Sequence, residues 1–304
     1  MIPTFKDYLH LHFLVLIWGF TAILGLLITI PAVEVVFYRT LIASGGLALL
    51  LYFQKLPFVL DKGGAIKMLL TGVLIAGHWI LFVGSARVST ASVCLAGMAT
   101  TSFWTSFLEP LVLKKRIKWY EVFLGVVVIA GLYIIFHFEF NHAIGLLMAL
   151  ISAFLAALFT VINARFAKEY HHHQVTFYEM VGACISIAIF FPIYKMTFAE
   201  SGVIKLSLNT MDVVYIAILA IICTVYAYSA SIDLMKKISA FSVNLTVNLE
   251  PVYGIALAVI IFGDKEKMRP GFYIGAAIIL ISVLAHPLLN KAYRSKYLET
   301  DNLR

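Results

Sequence analysis

Residues 239–266 read SAFSVNLTVNLEPVYGIALAVIIFGDKE, a stretch that is apolar enough to cross a bilayer although polar residues lie near its middle. If a helix begins near Ser239, Glu250 lies about 11 residues, or about 16 Å, along it, roughly half of a hydrocarbon core of about 30 Å. A carboxyl group at that depth is expensive and therefore predicts a functional position. The polar residues of this stretch are Asn244, Asn248 and Glu250, followed by Pro251.

The composition of the whole chain agrees with a membrane protein. Of 304 residues, 62% are hydrophobic and 13% are charged, whereas about a quarter of the residues of a soluble domain are charged. Runs of apolar residues long enough to span a bilayer predict ten transmembrane helices. The predicted spans cover residues 10–29, 33–53, 66–84, 90–112, 120–138, 143–166, 175–195, 211–232, 239–262 and 270–289.

The distribution of basic residues predicts the orientation. Most Lys and Arg residues fall in the loops on the side of the two termini, which the positive-inside rule places in the cytoplasm. The net charge of +7 is then a consequence of topology and gives no reason to expect a nucleic acid partner. The first apolar run lacks a cleavage site and is expected to remain as a span.

Two halves of the chain resemble each other. Ser239, Ser242, Val243 and Leu245 align with residues 150 positions earlier, and residues 37–39 (FYR) align with residues 177–179 (FYE). We therefore predict two repeats, residues 1–138 and 139–304. Each repeat holds five spans, an odd number, so the second repeat enters the membrane from the opposite side. Inverted repeats give a physical route to alternating access in transporters.

Several short motifs in this order resemble the drug/metabolite transporter superfamily, in particular its EamA-type members. The motifs are Trp18-Gly19, residues 37–43, Ser89 with the three residues after it, Glu250-Pro251, Gly263-Asp264 and Gly275. The resemblance implies ten helices, cytoplasmic termini, transport of small metabolites, often as efflux, and a central cavity lined by the first four helices of each half. The first repeat departs from the pattern, with Thr101 opposite Pro251 and Leu113-Lys114 where the family commonly has Gly-Glu.

The polar residues of the ninth span fall on two faces. Pro251 leaves the carbonyl of Val247 without its helical partner, which predicts a kink beside a cavity. Asn244 and Asn248 share a face with Pro251, while Glu250 lies about 120° away on the helical wheel. One of the two faces is therefore expected to meet a neighbouring helix.

Glu250 and Arg39 are the charged candidates for the site. Glu250 either couples transport to protons or binds a substrate amine, since a carboxyl group removed from water exchanges protons closer to neutral pH; the alternative is a structural carboxyl between helices. Arg39 either binds a substrate carboxylate or extends to the headgroups. Its repeat partner Glu179 is expected at a shallow position on the opposite side, so no ion pair between the two is predicted.

Aromatic residues and one histidine complete the candidate set. These side chains can stack on a flat or cationic substrate. For each residue considered alone, ordinary packing with one hydrogen bond is also a sufficient reason for its presence. Glu34 and Glu109 are expected at the membrane interfaces. His171, His172 and His173 are adjacent but lack a partner cysteine, so no metal is predicted. The aromatic and histidine candidates are Trp18, His78, Trp79, Tyr226 and Tyr228.

The sequence thus predicts an all-α integral membrane protein of ten transmembrane helices in two five-helix inverted repeats. We expect a secondary carrier in a cell inner membrane, a monomer or homodimer in the lipid bilayer. It would export an amino-acid-like or other small polar or aromatic compound, with proton coupling as an option. No P-loop or other cofactor fingerprint is present. The alternatives are an intramembrane lipid-handling enzyme and a membrane scaffold or receptor without transport activity.

Overall fold

A computed structural model describes residues 3–114, 116–138, 142–199 and 202–250, and beyond these the separate positions 253–254, 263, 270–271, 273–275, 277–278, 280–282, 285, 288–289 and 292–293. The elements assigned over the continuous ranges are all helical. They are α1 (Phe5–Gly19), α2 (Thr21–Leu27), α3 (Ala32–Phe53), α4 (Lys62–Val88), α5 (Ala91–Met98), α6 (Thr101–Leu113), α7 (Trp119–Phe138), α8 (Ala143–Glu169), α9 (His172–Thr197), α10 (Thr210–Ala217), a π-helical segment (Ile218–Tyr226), α11 (Ala227–Leu234) and α12 (Ala240–Val247).

These helices are long and apolar enough to confirm an all-α membrane protein. Six stretches can cross a membrane by length and composition, and shorter apolar helices cover Trp119–Gly131 and Tyr273–Ser282. The fourth predicted span corresponds to α5 with α6, and the ninth begins with α12. The six stretches are Phe5–Leu27, Ala32–Phe53, Lys62–Val88, Ala143–Glu169, His172–Thr197 and Thr210–Leu234.

The two halves pack with opposite directions across the membrane, as the contacts of α3 and α9 show. These helices are neighbours, and each begins where the other ends. Near the start of α3, Glu34 Oε1 accepts a hydrogen bond from the Lys205 amide, which follows the end of α9 (3.1 Å). Near the start of α9, Gln174 Nε2 donates to the Pro57 carbonyl, which follows the end of α3 (2.8 Å). Glu34 and Gln174 are 140 positions apart, as the repeat requires.

Further hydrogen bonds join the halves at both ends of the bundle. At the end where α1 begins, Tyr170 donates to Asp61 (2.6 Å) and Tyr178 donates to the Phe58 carbonyl. We call these bonds, together with the Gln174–Pro57 bond, the proximal clasp. The Tyr170 hydrogen bond lowers the pKa of the exposed Asp61 carboxyl. Because that pKa is lowered, the bond contributes at neutral pH and is lost as the pH falls through the lowered value.

The equivalent contacts at the opposite end form the distal clasp. The Thr29 amide and hydroxyl both donate to the Asp212 carboxylate, at 2.8 and 2.7 Å. Tyr38, the repeat partner of Tyr178, donates to the Leu206 carbonyl (2.7 Å). The Lys205–Glu34 bond completes the set. Related contacts therefore join the two halves at both ends of the bundle in this structure.

Glycine permits the closest approach between the halves, where α4 crosses α9. A Cβ atom added at Gly72 would overlap the Glu179 carbonyl oxygen, and one added at Gly182 would overlap the Leu69 carbonyl oxygen. The two helices therefore touch through their backbones.

Both the fourth and the ninth span are interrupted near the middle. Between α5 and α6 the helix breaks at residues 99–100, where Thr100 and Thr101 hydroxyls donate to the carbonyls of Gly97 (2.8 Å) and Met98 (2.6 Å). In the ninth span α12 ends at Val247, before Glu250. Pro251, where a kink was predicted, lies outside the described residues. The break in the first half contains no proline, and threonine hydroxyls donate there to carbonyls of the preceding turn.

Candidate functional site

A cavity lies between the two halves, and most of the predicted site residues face it. It leaves about 90 Å³ for the centres of water-sized molecules, enough for several waters or a small ligand. Both halves of the chain contribute to the lining. The first half contributes its first four spans, and the second half contributes α8 together with the eighth and ninth spans. The predicted residues that line it are Trp18, Arg39, His78, Trp79, Tyr228, Asn244 and Glu250.

Arg39 reaches the cavity from α3 and is held in place on two sides. Its Nε donates to Thr224 Oγ1 (2.9 Å), and its guanidinium carbon lies 3.7 Å from the centre of the Trp79 ring. The residue is 4% exposed, so its charge points inward to the cavity and not to the headgroups. Cation–π contacts of a desolvated arginine contribute about 2 kcal/mol. The Thr224 hydroxyl in turn donates to the Leu219 carbonyl five residues back, in the π-helical segment.

Glu250 approaches the same cavity from the ninth span. The Thr21 hydroxyl lies 3.4 Å from Glu250 Oε1 and also donates to the Trp18 carbonyl (2.7 Å). The carboxyl is buried with 6% exposure. Although Arg39 and Glu250 line one cavity, they make no direct ion pair within 4 Å. Their charges are therefore available to a third group placed between them.

The asparagines of α12 meet the neighbouring helix α6. Asn244 Nδ2 donates to Thr105 Oγ1 (2.8 Å), and Asn248 Nδ2 donates to Ser102 Oγ (2.7 Å). Asn244 still borders the cavity, whereas Asn248 does not. The prediction that one face of the ninth span meets a helix matches this geometry, and the facing helix is α6.

His78 and Trp18 are both anchored by hydrogen bonds at the cavity wall. His78 Nδ1 lies 2.7 Å from Ser152 Oγ, and its ring packs against Phe82 and Phe159. Trp18 Nε1 donates to the Cys223 carbonyl (3.1 Å). Anchored rings of this kind present a rigid apolar surface to a ligand.

Tyr226 is not brought to the cavity. Its side chain is 43% exposed, and its hydroxyl lies 3.1 Å from His10 Nε2. Residues two positions apart on a helix lie on nearly opposite faces, so Tyr226 and Tyr228 cannot both face inward. Helical spacing alone could have separated the two tyrosines.

Three carboxyl groups lie deeper than the sequence indicated. Glu34 and Glu109, expected at the interfaces, are 0% and 6% exposed. Each accepts a backbone amide from a distant segment, Glu34 that of Lys205 and Glu109 that of Phe241 (2.7 Å). Glu179, expected at a shallow position, is fully buried and accepts a hydrogen bond from the cavity residue Tyr228 (3.0 Å). The repeat alignment marked Glu179 but gave no signal of this contact.

The three adjacent histidines lie beside the proximal clasp. Ligand atoms of His171, His172 and His173 are within 4.8 Å of one another, and burial lowers the pKa of His171. His173 Nδ1 lies 2.8 Å from Gln54 Oε1, and His172 Nδ1 lies 3.2 Å from Asp233 Oδ1. His171 caps the first turn of α9. The tract thus ties the start of α9 to its neighbours.

Comparison with known proteins places these features in context. A family model described as the EamA-like transporter family matches residues 8–137 and 143–285. The pseudopaline exporters CntI of Pseudomonas aeruginosa strains UCBPP-PA14 and PAO1 are 27% identical over 162 residues, 52% of this chain. The chain spans about half (55%) of the length of these curated relatives. A solved structure titled "Crystal structure of protein" has a TM-score of 0.68 and 13% identity, covering 93% of this chain and 98% of that one, which indicates a shared fold.

Proposed function

Because the chain belongs to the EamA-like transporter family, whose members typically have ten transmembrane helices, we propose that it is a secondary-active carrier that moves a small metabolite through the cavity between its halves. Transport follows from alternating access, in which the inverted halves exchange their local shapes around the midplane site. The protein is proposed to act as a monomer or homodimer in a bacterial-type inner membrane, with both termini in the cytoplasm.

The observation that carries this proposal is the pair of buried opposite charges facing one cavity. Arg39 offers a guanidinium to a carboxylate and Glu250 offers a carboxylate to an ammonium group, without an ion pair between them. Trp79 and Phe159 supply apolar surface beside them. An amino-acid-like zwitterion carries one charge opposite to each of these groups, so its binding pairs both buried charges.

The direction proposed is export. The curated relatives are pseudopaline exporters, and family resemblance to efflux proteins supports the same direction here. The energy comes from a proton gradient, with Glu250 exchanging its proton as the cavity opens alternately to the two sides. A carboxyl deep in a membrane protein is the usual kind of proton carrier.

The test is uptake into vesicles reconstituted with the purified protein under an imposed pH gradient, screened over radiolabelled amino acids, nucleosides and organic cations. We expect gradient-driven accumulation of amino acids that is lost in Glu250→Gln. Accumulation by Glu250→Gln with unchanged pH dependence contradicts the coupling role. Product formation from lipid, or ligand binding without movement across vesicles, contradicts transport and supports the enzyme or scaffold alternative.

A further inference from the structure

A second buried carboxyl lies behind the cavity wall, on α9. Glu179 is 0% exposed and lies seven residues after the start of that helix, about 10 Å along its axis. The Tyr228 hydroxyl donates to its Oε2 (3.0 Å), and Asn163 Nδ2 lies 3.4 Å from the same oxygen. Its other oxygen, Oε1, has no hydrogen-bond partner. The group therefore sits in a polar cluster of three residues from three helices.

Tyr228 connects this cluster to the cavity. Its ring lies against Trp79 and Phe159, which both line the cavity. Its hydroxyl accepts a hydrogen bond from Asn163 (2.7 Å) while donating to Glu179. One phenol thus separates the buried carboxyl from the space where a substrate would bind.

The two carboxyls near the cavity differ in their surroundings. Glu250 shares the cavity with the guanidinium of Arg39, whereas Glu179 has no ion pair with a cation among the residues that the structure describes. A buried carboxylate without a cation costs several kcal/mol more than the neutral acid. The arrangement therefore favours a proton on Glu179.

The groups that face Glu179 from each packed helix are accounted for. The helices packed against α9 are α3, α4, α8 and α11. From α11 comes Tyr228, from α8 the neutral Asn163, and from α4 the backbone at Gly72. The charged residues of α3 bind elsewhere, Arg39 to Thr224 and Glu34 to the Lys205 amide. The other charged or titratable side chains of these four helices lie elsewhere. Tyr38 donates to the Leu206 carbonyl, Arg87 binds carbonyls at the distal end, His78 binds Ser152, and Asp233 pairs with Lys236. The exposed ones are Tyr52, Lys62, Lys67, Arg165, Lys168 and Glu169.

We propose that Glu179 is a second proton-carrying residue of the transport cycle, linked to the cavity through the Tyr228 hydroxyl. In this structure the Tyr228 hydroxyl donates to Glu179, so the forward step begins when that hydroxyl turns its hydrogen to a water in the cavity and the Glu179 O–H donates to the Tyr228 oxygen. The carboxyl then gives its proton to the Tyr228 oxygen as the tyrosine gives its own proton to that water, which leaves Glu179 as a carboxylate and the water as hydronium. The reverse step restores the acid. The proposal rests on the transporter function proposed above, and it assigns proton storage to a residue outside the substrate cavity.

The experiment compares wild type with Glu179→Gln and Tyr228→Phe in vesicles holding a pH-sensitive dye and supplied with a mixture of radiolabelled amino acids. Glutamine keeps the size of the side chain and an acceptor for Tyr228, and phenylalanine keeps the ring against Trp79. We expect Glu179→Gln to exchange labelled for unlabelled amino acids without a gradient, and both variants to move fewer protons per substrate than wild type. Glu169→Gln, at an exposed position on α8, is the matched control and keeps the wild-type ratio.

An infrared measurement tests the proton directly. The purified wild-type protein at neutral pH should show the carbonyl stretching band of a protonated carboxylic acid, and Glu179→Gln should lose part of it while Glu169→Gln does not. An unchanged proton-to-substrate ratio together with an unchanged band overturns the role of Glu179. If wild type itself transports none of the amino acids, nucleosides and organic cations while remaining folded, the transporter proposal fails and this inference with it.

Discussion

At the scale of single residues, Arg39 shows how a charge can be kept inside a membrane protein. Its guanidinium is stacked on Trp79, and its Nε donates a hydrogen bond to Thr224. The planar group fits both contacts at once, which an ammonium group cannot do. The residue is therefore held in one orientation before any substrate arrives.

This geometry predicts that Arg39→Lys weakens amino acid binding although the charge is retained. Loss of the Nε hydrogen bond and of the stacked plane removes about 1–2 kcal/mol, equivalent to roughly tenfold in affinity. Isothermal titration or a competition assay on purified protein measures it. Arg165→Lys, whose side chain is 64% exposed, is the control, and equal affinity in both variants would argue against a binding role for Arg39.

At the scale of helices, Arg87 fixes the connection between α2 and α3. From the end of α4 it donates to the carbonyls of Gly25, Ile28 and Ile30, at distances between 2.6 and 3.1 Å. These carbonyls lie at a helix end, where no intrahelical donor is available. One side chain therefore provides hydrogen-bond donors for three carbonyl groups of this connection.

Removal of this side chain is predicted to destabilise the protein. Arg87→Ala leaves three carbonyls without their donor, and hydrogen bonds to charged groups contribute about 1.5–3 kcal/mol each. We expect a melting temperature in detergent clearly below that of wild type, followed by tryptophan fluorescence. Arg165→Ala, on the exposed face of α8, should melt as wild type does, and a similar loss in both variants would refute the specific role of Arg87.

The glycine contact between α4 and α9 gives a second prediction at this scale. Gly72→Ala places a methyl group on the Glu179 carbonyl oxygen, whereas an added Cβ at Gly45 meets nothing within 4 Å. Forcing packed backbones apart typically costs about 1–3 kcal/mol, while alanine is the better helix former. Thermal unfolding should therefore show Gly72→Ala destabilised and Gly45→Ala equal to or above wild type. Equal melting temperatures for the two variants would contradict the close crossing.

At the scale of the whole molecule, the two clasps tie the ends of the halves together. The proximal clasp uses Gln174 and Tyr178, and the distal clasp uses their repeat partners Glu34 and Tyr38. Because the repeats are inverted, the same positions close opposite ends. A carrier that opens to one side at a time must release one clasp while it keeps the other.

We predict that the two tyrosines bias access in opposite directions. Tyr178→Phe removes a hydrogen bond of the proximal clasp and Tyr38→Phe one of the distal clasp, each shifting the equilibrium by about 0.5–1.5 kcal/mol, or roughly twofold to tenfold. Cys223, which lines the cavity, reports the change. A membrane-impermeant thiol reagent should label it faster from the proximal side in Tyr178→Phe and from the distal side in Tyr38→Phe.

The labelling is measured in a background without the other two cysteines, Cys94 and Cys184. The same background with both tyrosines intact gives the reference rates from each side. Equal acceleration from both sides in either variant would mean that the tyrosines hold the fold together generally and do not control access.

The sequence by itself determined the class of this protein. Long apolar runs, read against the helix length that a bilayer requires, predicted the all-helical membrane fold, and most of the predicted site residues line the cavity. Only the tertiary structure decided which side chains meet. Helical spacing already places Tyr226 and Tyr228 on different faces, whereas Glu179 is buried because residues of α8 and α11 cover it. Such contacts join residues far apart in sequence, and no local pattern encodes them.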